Sequence, residues 1–109
     1  MYREFICTTV FDKYWLALGL TDDDQRELES RLLENPQAGS VISHTNGARK
    51  IRIEAKGHGK RGGARVIYVD FFVQEEIYFL DVYGKGEKVD LEETEKKAIS
   101  GLIRRLKNE

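Results

Sequence analysis

Apolar positions along the chain switch between the alternation of a strand and the three- and four-residue spacing of a helix, and the switches predict the elements. Residues 2–10, YREFICTTV, are rich in β-branched and aromatic side chains and predict a strand. Residues 11–18 then read as a short helix closed by Gly19. Thr21, followed by Asp22, Asp23 and Asp24, sets a cap oxygen and three carboxylates where the free N–H groups of a second helix begin. Leu28, Leu32 and Leu33 repeat at helical spacing, and Asn35-Pro36 ends that helix.

Alternation returns after a loop containing Gly39 and Asn46-Gly47. In RKIRIEAK, Ile51, Ile53 and Ala55 point one way while Lys50, Arg52, Glu54 and Lys56 point the other. A glycine-rich loop leads to ARVIYVDFFV, a nearly continuous apolar run of the buried kind, and Gln74-Glu75-Glu76 turns the chain into IYFLDVYGK. Short connections make these three strands an antiparallel meander. Asp90-Leu91-Glu92-Glu93 has the form of a capping box opening a last helix. Its apolar stripe is Leu91, Ala98, Ile99, Leu102, Ile103 and Leu106. The prediction is a single α+β domain over residues 1–109, in the order β-α-α-β-β-β-α.

Composition adds little until charge is followed along the chain. The net charge of −1 hides a separation: seven of the 18 lysines and arginines, and one of the 19 acids, fall within residues 49–65. Such a concentration focuses positive potential and attracts a polyanion even from a nearly neutral molecule. Cys7 is the only cysteine, so neither an internal disulfide nor a cysteine zinc site is expected. Charged residues among the first apolar ones argue against a signal peptide or a membrane span, and cytoplasmic residence is the default expectation.

The basic stretch contains Gly57-His58-Gly59-Lys60-Arg61-Gly62, which matches the glycine spacing of a dinucleotide fingerprint. That fingerprint works only when a helix follows, and here a strand does. A P-loop fails as well, because Lys60 precedes Arg61 and not Ser or Thr. An ordinary hairpin turn accounts for Gly62-Gly63 but not for the surrounding cations. Strand alternation puts Lys50, Arg52 and Lys56 on one face, and Arg65 at the head of the next strand can join them. Tyr68, Tyr78 and Tyr83 add aromatic surface that either packs or stacks on a base. Tyr83, at a strand end beside Gly84 and Lys85, is the one expected to be accessible. His44 and His58 are too few for a metal site, and no cofactor is implied.

The strings LLENPQAGSVISHTNG, NGARKIRIEAKGHGKRGGARVIYVDFF and YFLDVYGKGEKVDLEETEKKAI resemble the RelE/HigB-like toxins of bacterial type II toxin–antitoxin systems. The similarity runs from Phe5 to about Arg105, and G-K-R-G-G-x-R-x-I-Y is its most specific part. It implies a RelE-like fold. It also implies an endoribonuclease that cuts messenger RNA on the translating ribosome, near the 16S ribosomal RNA A site, and is neutralised by a cognate antitoxin. In such a reaction a ribose 2′-oxygen attacks the adjacent phosphate and expels the 5′-oxygen, without metal or cofactor.

Carried onto this chain, the resemblance makes Arg65 the residue that stabilises transition-state charge. Lys60, Arg61 and Lys56 are its helpers at the phosphate, one lysine being a candidate general base. Tyr83 and Lys85 would orient a base or the leaving oxygen. Arg49, Lys50, Arg52 and His58 would hold RNA. His58 stands where relatives often carry another residue, and the distal tyrosine of some RelE-type members has no counterpart among residues 87–92. A noncatalytic RNA- or ribosome-binding protein, or a ParE-like inhibitor of DNA gyrase, is the alternative. The antitoxin would contact the acidic helix at residues 21–35 or cover the basic face; neither that choice nor the oligomeric state follows from the sequence. The functional reading requires that cations from two adjacent strands converge on one spot.

Overall fold

The computed structural model describes residues 2–54, 63–88 and 90–107. Eight elements follow in order: β1 (Glu4–Cys7), α1 (Thr9–Ala17), α2 (Asp22–Glu34), β2 (Ser40–Val41), β3 (Arg49–Ile53), β4 (Ala64–Phe71), β5 (Glu76–Gly84) and α3 (Glu93–Lys107). One five-stranded sheet runs β1-β5-β4-β3-β2. β1 lies parallel to β5, and the remaining pairs are antiparallel. The expected order holds, with the two-residue β2 added at an edge.

Boundaries moved where a side chain found a better partner than its local propensity offered. The first strand stops at Cys7 because Thr8 turns the chain: its hydroxyl accepts the Phe11 N–H at 3.1 Å and donates to the Leu80 carbonyl at 3.2 Å. The β-branched Thr9 and Val10 therefore enter a helix in spite of their strand preference. Thr21 caps α2 as expected, in a reciprocal box with Asp24 (3.1 and 2.9 Å). At α3 the expected box at residues 90–93 is replaced by a cap two residues later, where the Glu92 N–H donates to the Glu95 carboxylate at 2.8 Å. Asp90 is thereby released for another role. Ala98, placed on the apolar stripe from sequence, is exposed, because a stripe through Ile99 and Ile103 turns it outward.

Each face of the sheet carries its own core. Phe11, Trp15, Leu28 and Leu32 from α1 and α2 pack on Ile51, Ile53, Val66, Tyr68, Ile77 and Phe79. Ile99 and Ile103 of α3 pack on Ile67, Val69, Phe71, Leu80 and Tyr83. A β-bulge in β5 makes this assignment possible. Ile67 pairs with Asp81 and Tyr68 with Phe79, so Leu80 is the extra residue. Up to Phe79 the odd positions of β5 face α1 and α2; beyond the bulge the even ones do, and Tyr83 turns to the α3 face.

Cys7 lies half-buried beneath α2, and burial together with the nearby Asp12 carboxylate pushes its thiol up to about 11. At pH 8 such a thiol is ionised to about one part in a thousand, against about a quarter for an unperturbed cysteine. Iodoacetamide should therefore modify Cys7 at least about 100-fold more slowly in the native protein than in the urea-unfolded chain. Equal rates by mass spectrometry would contradict the burial.

Candidate functional site

The pairing register sets three of the predicted cations, Lys50, Arg52 and Arg65, at neighbouring positions on one face of two paired strands. Arg52 of β3 stands opposite Arg65 of β4, and Arg65 stands opposite Tyr83 of β5, so the three form a row across the sheet. Lys50 is two positions along β3 on the same face, opposite Ile67. Arg52 and Arg65, directly opposite one another, concentrate positive charge on this face of the sheet. Helix α3 buries the middle of this face, while Arg52, near its end, remains exposed.

Local geometry anchors the row. Gly63 precedes β4 with φ +61°, and a Cβ placed there would lie 1.8 Å from the Ile53 carbonyl oxygen. Only glycine lets the two strands close at this point, which fixes Arg65 against Arg52. The Arg31 guanidinium of α2 donates to the Arg52 carbonyl at 3.0 Å, holding β3 from its open side and blunting that edge.

Arg49 does not belong to the row. It alternates with Lys50 onto the opposite face, and its guanidinium donates to the carbonyls of Gln37 (3.3 Å) and Gly39 (2.7 Å). Its role there is to pin the chain before β2. Tyr68 also points away from the basic face. Its hydroxyl donates to the Pro36 carbonyl at 2.8 Å and accepts the Gly39 N–H at 2.9 Å, and burial raises its pKa. Lys85 is exposed in the turn that follows β5. Lys56, His58, Lys60 and Arg61 lie outside the described residues.

Tyr83 corrects an expectation. The predicted accessible strand-end tyrosine is 4 % exposed, packed in the core beneath α3, and burial raises its pKa. Its hydroxyl is buried and has no hydrogen-bond partner among the described residues. Lys88 lies over its ring, 4.8 Å from the centroid, and is itself held by Glu95. Sequence reasoning overlooked this lid and its neighbour Asp90, whose carboxylate meets the Lys50 ammonium at 2.7 Å. That contact holds Asp90 below the usual carboxylate range. No periodic pattern marks such a pair, since 40 residues separate its members.

Two cavities flank the site. One, of about 670 Å³, runs between α2 and the edge of β3, where the acidic Asp24, Glu27, Glu34 and Glu54 share the lining with Arg31 and Arg52. The other, of about 370 Å³, lies beside Tyr83 and Lys88, with Asp81 on its wall. Burial raises the Asp81 pKa. Among the described residues no group of histidine, cysteine and carboxylate side chains is placed to hold a metal ion. No helix among them is long and apolar enough to cross a membrane.

No protein-family model matches the sequence. Among solved structures, a double arginine-to-alanine mutant of the E. coli toxin RelE in the free state superposes with a TM-score of 0.57. The match covers 95 % of this chain and 98 % of that one at 17 % identity. The chain has the RelE-like fold. The similarity extends over nearly the full length of both chains. Within the RelE-like fold of this chain, the row runs from exposed Arg52 through half-buried Arg65 to Tyr83, which packs beneath α3.

Proposed function

We propose that the protein is the toxin of a type II toxin–antitoxin system and acts as a metal-independent endoribonuclease on translated messenger RNA. The observation that carries this reading is the row of Arg52, Arg65 and Tyr83 with Lys50 beside it. The register sets the basic residues Lys50, Arg52 and Arg65 on one face of the sheet of a RelE-like fold, and a protein-directed poison has no need of such a set. In the reaction the ribose 2′-oxygen forms a bond to phosphorus as the bond from phosphorus to the 5′-oxygen breaks. The 2′-proton passes to a base and the departing oxygen receives a proton. One product ends in a 2′,3′-cyclic phosphate and the other begins with a 5′-hydroxyl.

Arg65 is suited to the charge that builds on the phosphoryl oxygens, because its planar fork offers two parallel donors and its backbone is held in the sheet between β3 and β5. Lys50 and Arg52 take the flanking backbone phosphates, and Lys85 reaches the same end of the sheet. Lys56, Lys60, Arg61 and His58 complete the basic set in this proposal. The partners are messenger RNA, the ribosomal A site and a cognate antitoxin.

Controlled expression followed by mapping of RNA 5′ ends tests the reading. New 5′-hydroxyl ends inside translated frames are expected within minutes. Intact messages accompanied by a loss of DNA supercoiling would replace this reading with gyrase inhibition.

A further inference from the structure

We infer that Asp90 is a built-in competitor for the phosphate of the substrate: in the RNA-free protein its carboxylate occupies Lys50, and its departure both frees that ammonium and uncovers the Tyr83 hydroxyl. The inference rests on the RNA-binding reading given above. Three observations on different elements meet here. The Lys50 side chain is 27 % exposed and that of Asp90 67 %, so the carboxylate lies on the solvent side of the ammonium, where an incoming anion would arrive. The same connection between β5 and α3 carries Lys88, which covers the Tyr83 ring and is tied to Glu95. Beneath it, Tyr83 is 4 % exposed with a hydroxyl that lacks a partner among the described residues.

A buried hydroxyl without a partner is unfavourable, and it gains a hydrogen bond as soon as water or an RNA oxygen reaches it. The closed arrangement is therefore held by the Lys50–Asp90 and Lys88–Glu95 pairs against an opposing cost. A phosphate on Lys50 weakens the first of these pairs by competition and repels the Asp90 carboxylate. Binding of the backbone thus loosens one of the two pairs that hold the β5–α3 connection over Tyr83, and so favours its exposure. An anion too weak to displace Asp90 leaves the tyrosine shielded, so Asp90 sets a threshold for what counts as substrate.

The test uses the full chain and a fluorescent single-stranded RNA whose 2′-oxygens are methylated, so that it binds without being cut. Asp90→Asn should tighten binding about three- to tenfold in low salt, by removing a competing charge near the phosphates. The gain should vanish when Lys50→Met is present in both members of the comparison. Asp90→Ala should behave like Asp90→Asn, and circular dichroism verifies that each variant is folded. In the absence of RNA, Asp90→Asn should also raise nitration of Tyr83 by tetranitromethane, read by peptide mass spectrometry. Unchanged affinity in Asp90→Asn, a gain that survives the loss of Lys50, or unchanged Tyr83 nitration would each overturn the inference while leaving RNA binding intact. Failure of every variant, including the unaltered protein, to bind RNA would overturn the functional reading itself and the inference with it.

Discussion

Arg65→Ala should slow cleavage of a translated message by about 100- to 1000-fold, the loss seen when a preorganised donor to a transition-state oxyanion is removed. The expectation follows from position. Arg65 sits between Arg52 and Tyr83, and strand pairing on both sides holds its backbone in place before RNA arrives. Arg65→Lys separates charge from geometry: a lysine keeps the charge but not the paired donors, and about a tenfold loss is expected. Rates of 5′-hydroxyl end formation in a translation extract measure both, with RNA affinity measured in parallel. Cleavage that survives Arg65→Ala undiminished would remove the phosphate role, whatever the protein's toxicity.

Phe79→Ala should be the most damaging single change to the fold, costing about 3–5 kcal/mol. The ring is fully buried and lies between Phe11 and Phe5, with centroids 4.9 and 5.6 Å away. Its removal leaves a cavity where β1, β5 and α1 meet and also forfeits two ring contacts. Against a total stability of about 5–15 kcal/mol, this should lower the thermal midpoint by about 15–25 °C. Val73→Ala is the control: that side chain is 89 % exposed, and a change within about 0.5 kcal/mol is expected. Calorimetry of the two variants side by side would decide, and similar midpoints would refute the packing described for the first face.

The sequence was most legible where one periodicity dominated. Ile51 and Ile53 against Lys50 and Arg52 is an alternation with one buried and one charged face, and the strand follows it. The acidic start of α2 was equally plain, because cap and carboxylates act within one turn. The beginning of α1 was not legible: a hydrogen bond to the Leu80 carbonyl, far along the chain, outweighed the strand preference of Thr9 and Val10. The α3 cap failed for a related reason, since Asp90 is drawn to Lys50 and leaves capping to Glu92 and Glu95.

The candidate site divides along the same line. Residue types and alternation selected Lys50, Arg52 and Arg65 without coordinates. Arg49, their neighbour in the basic run, required the structure to be told apart from them, because strand parity sends it to the far face and onto two carbonyls. Tyr83 required it too. A strand end suggests solvent, but the bulge at Leu80 rotates Tyr83 beneath α3 and the following connection closes over it.

Taken alone, the chain's order of side chains determined which segments bury a face and where positive charge gathers, because both depend on neighbours within a few residues. Tertiary structure decided which cations share a surface, which carboxylate answers them and which tyrosine is hidden. Those outcomes depend on strand register, one inserted residue and contacts between positions 40 apart, and no local pattern encodes them.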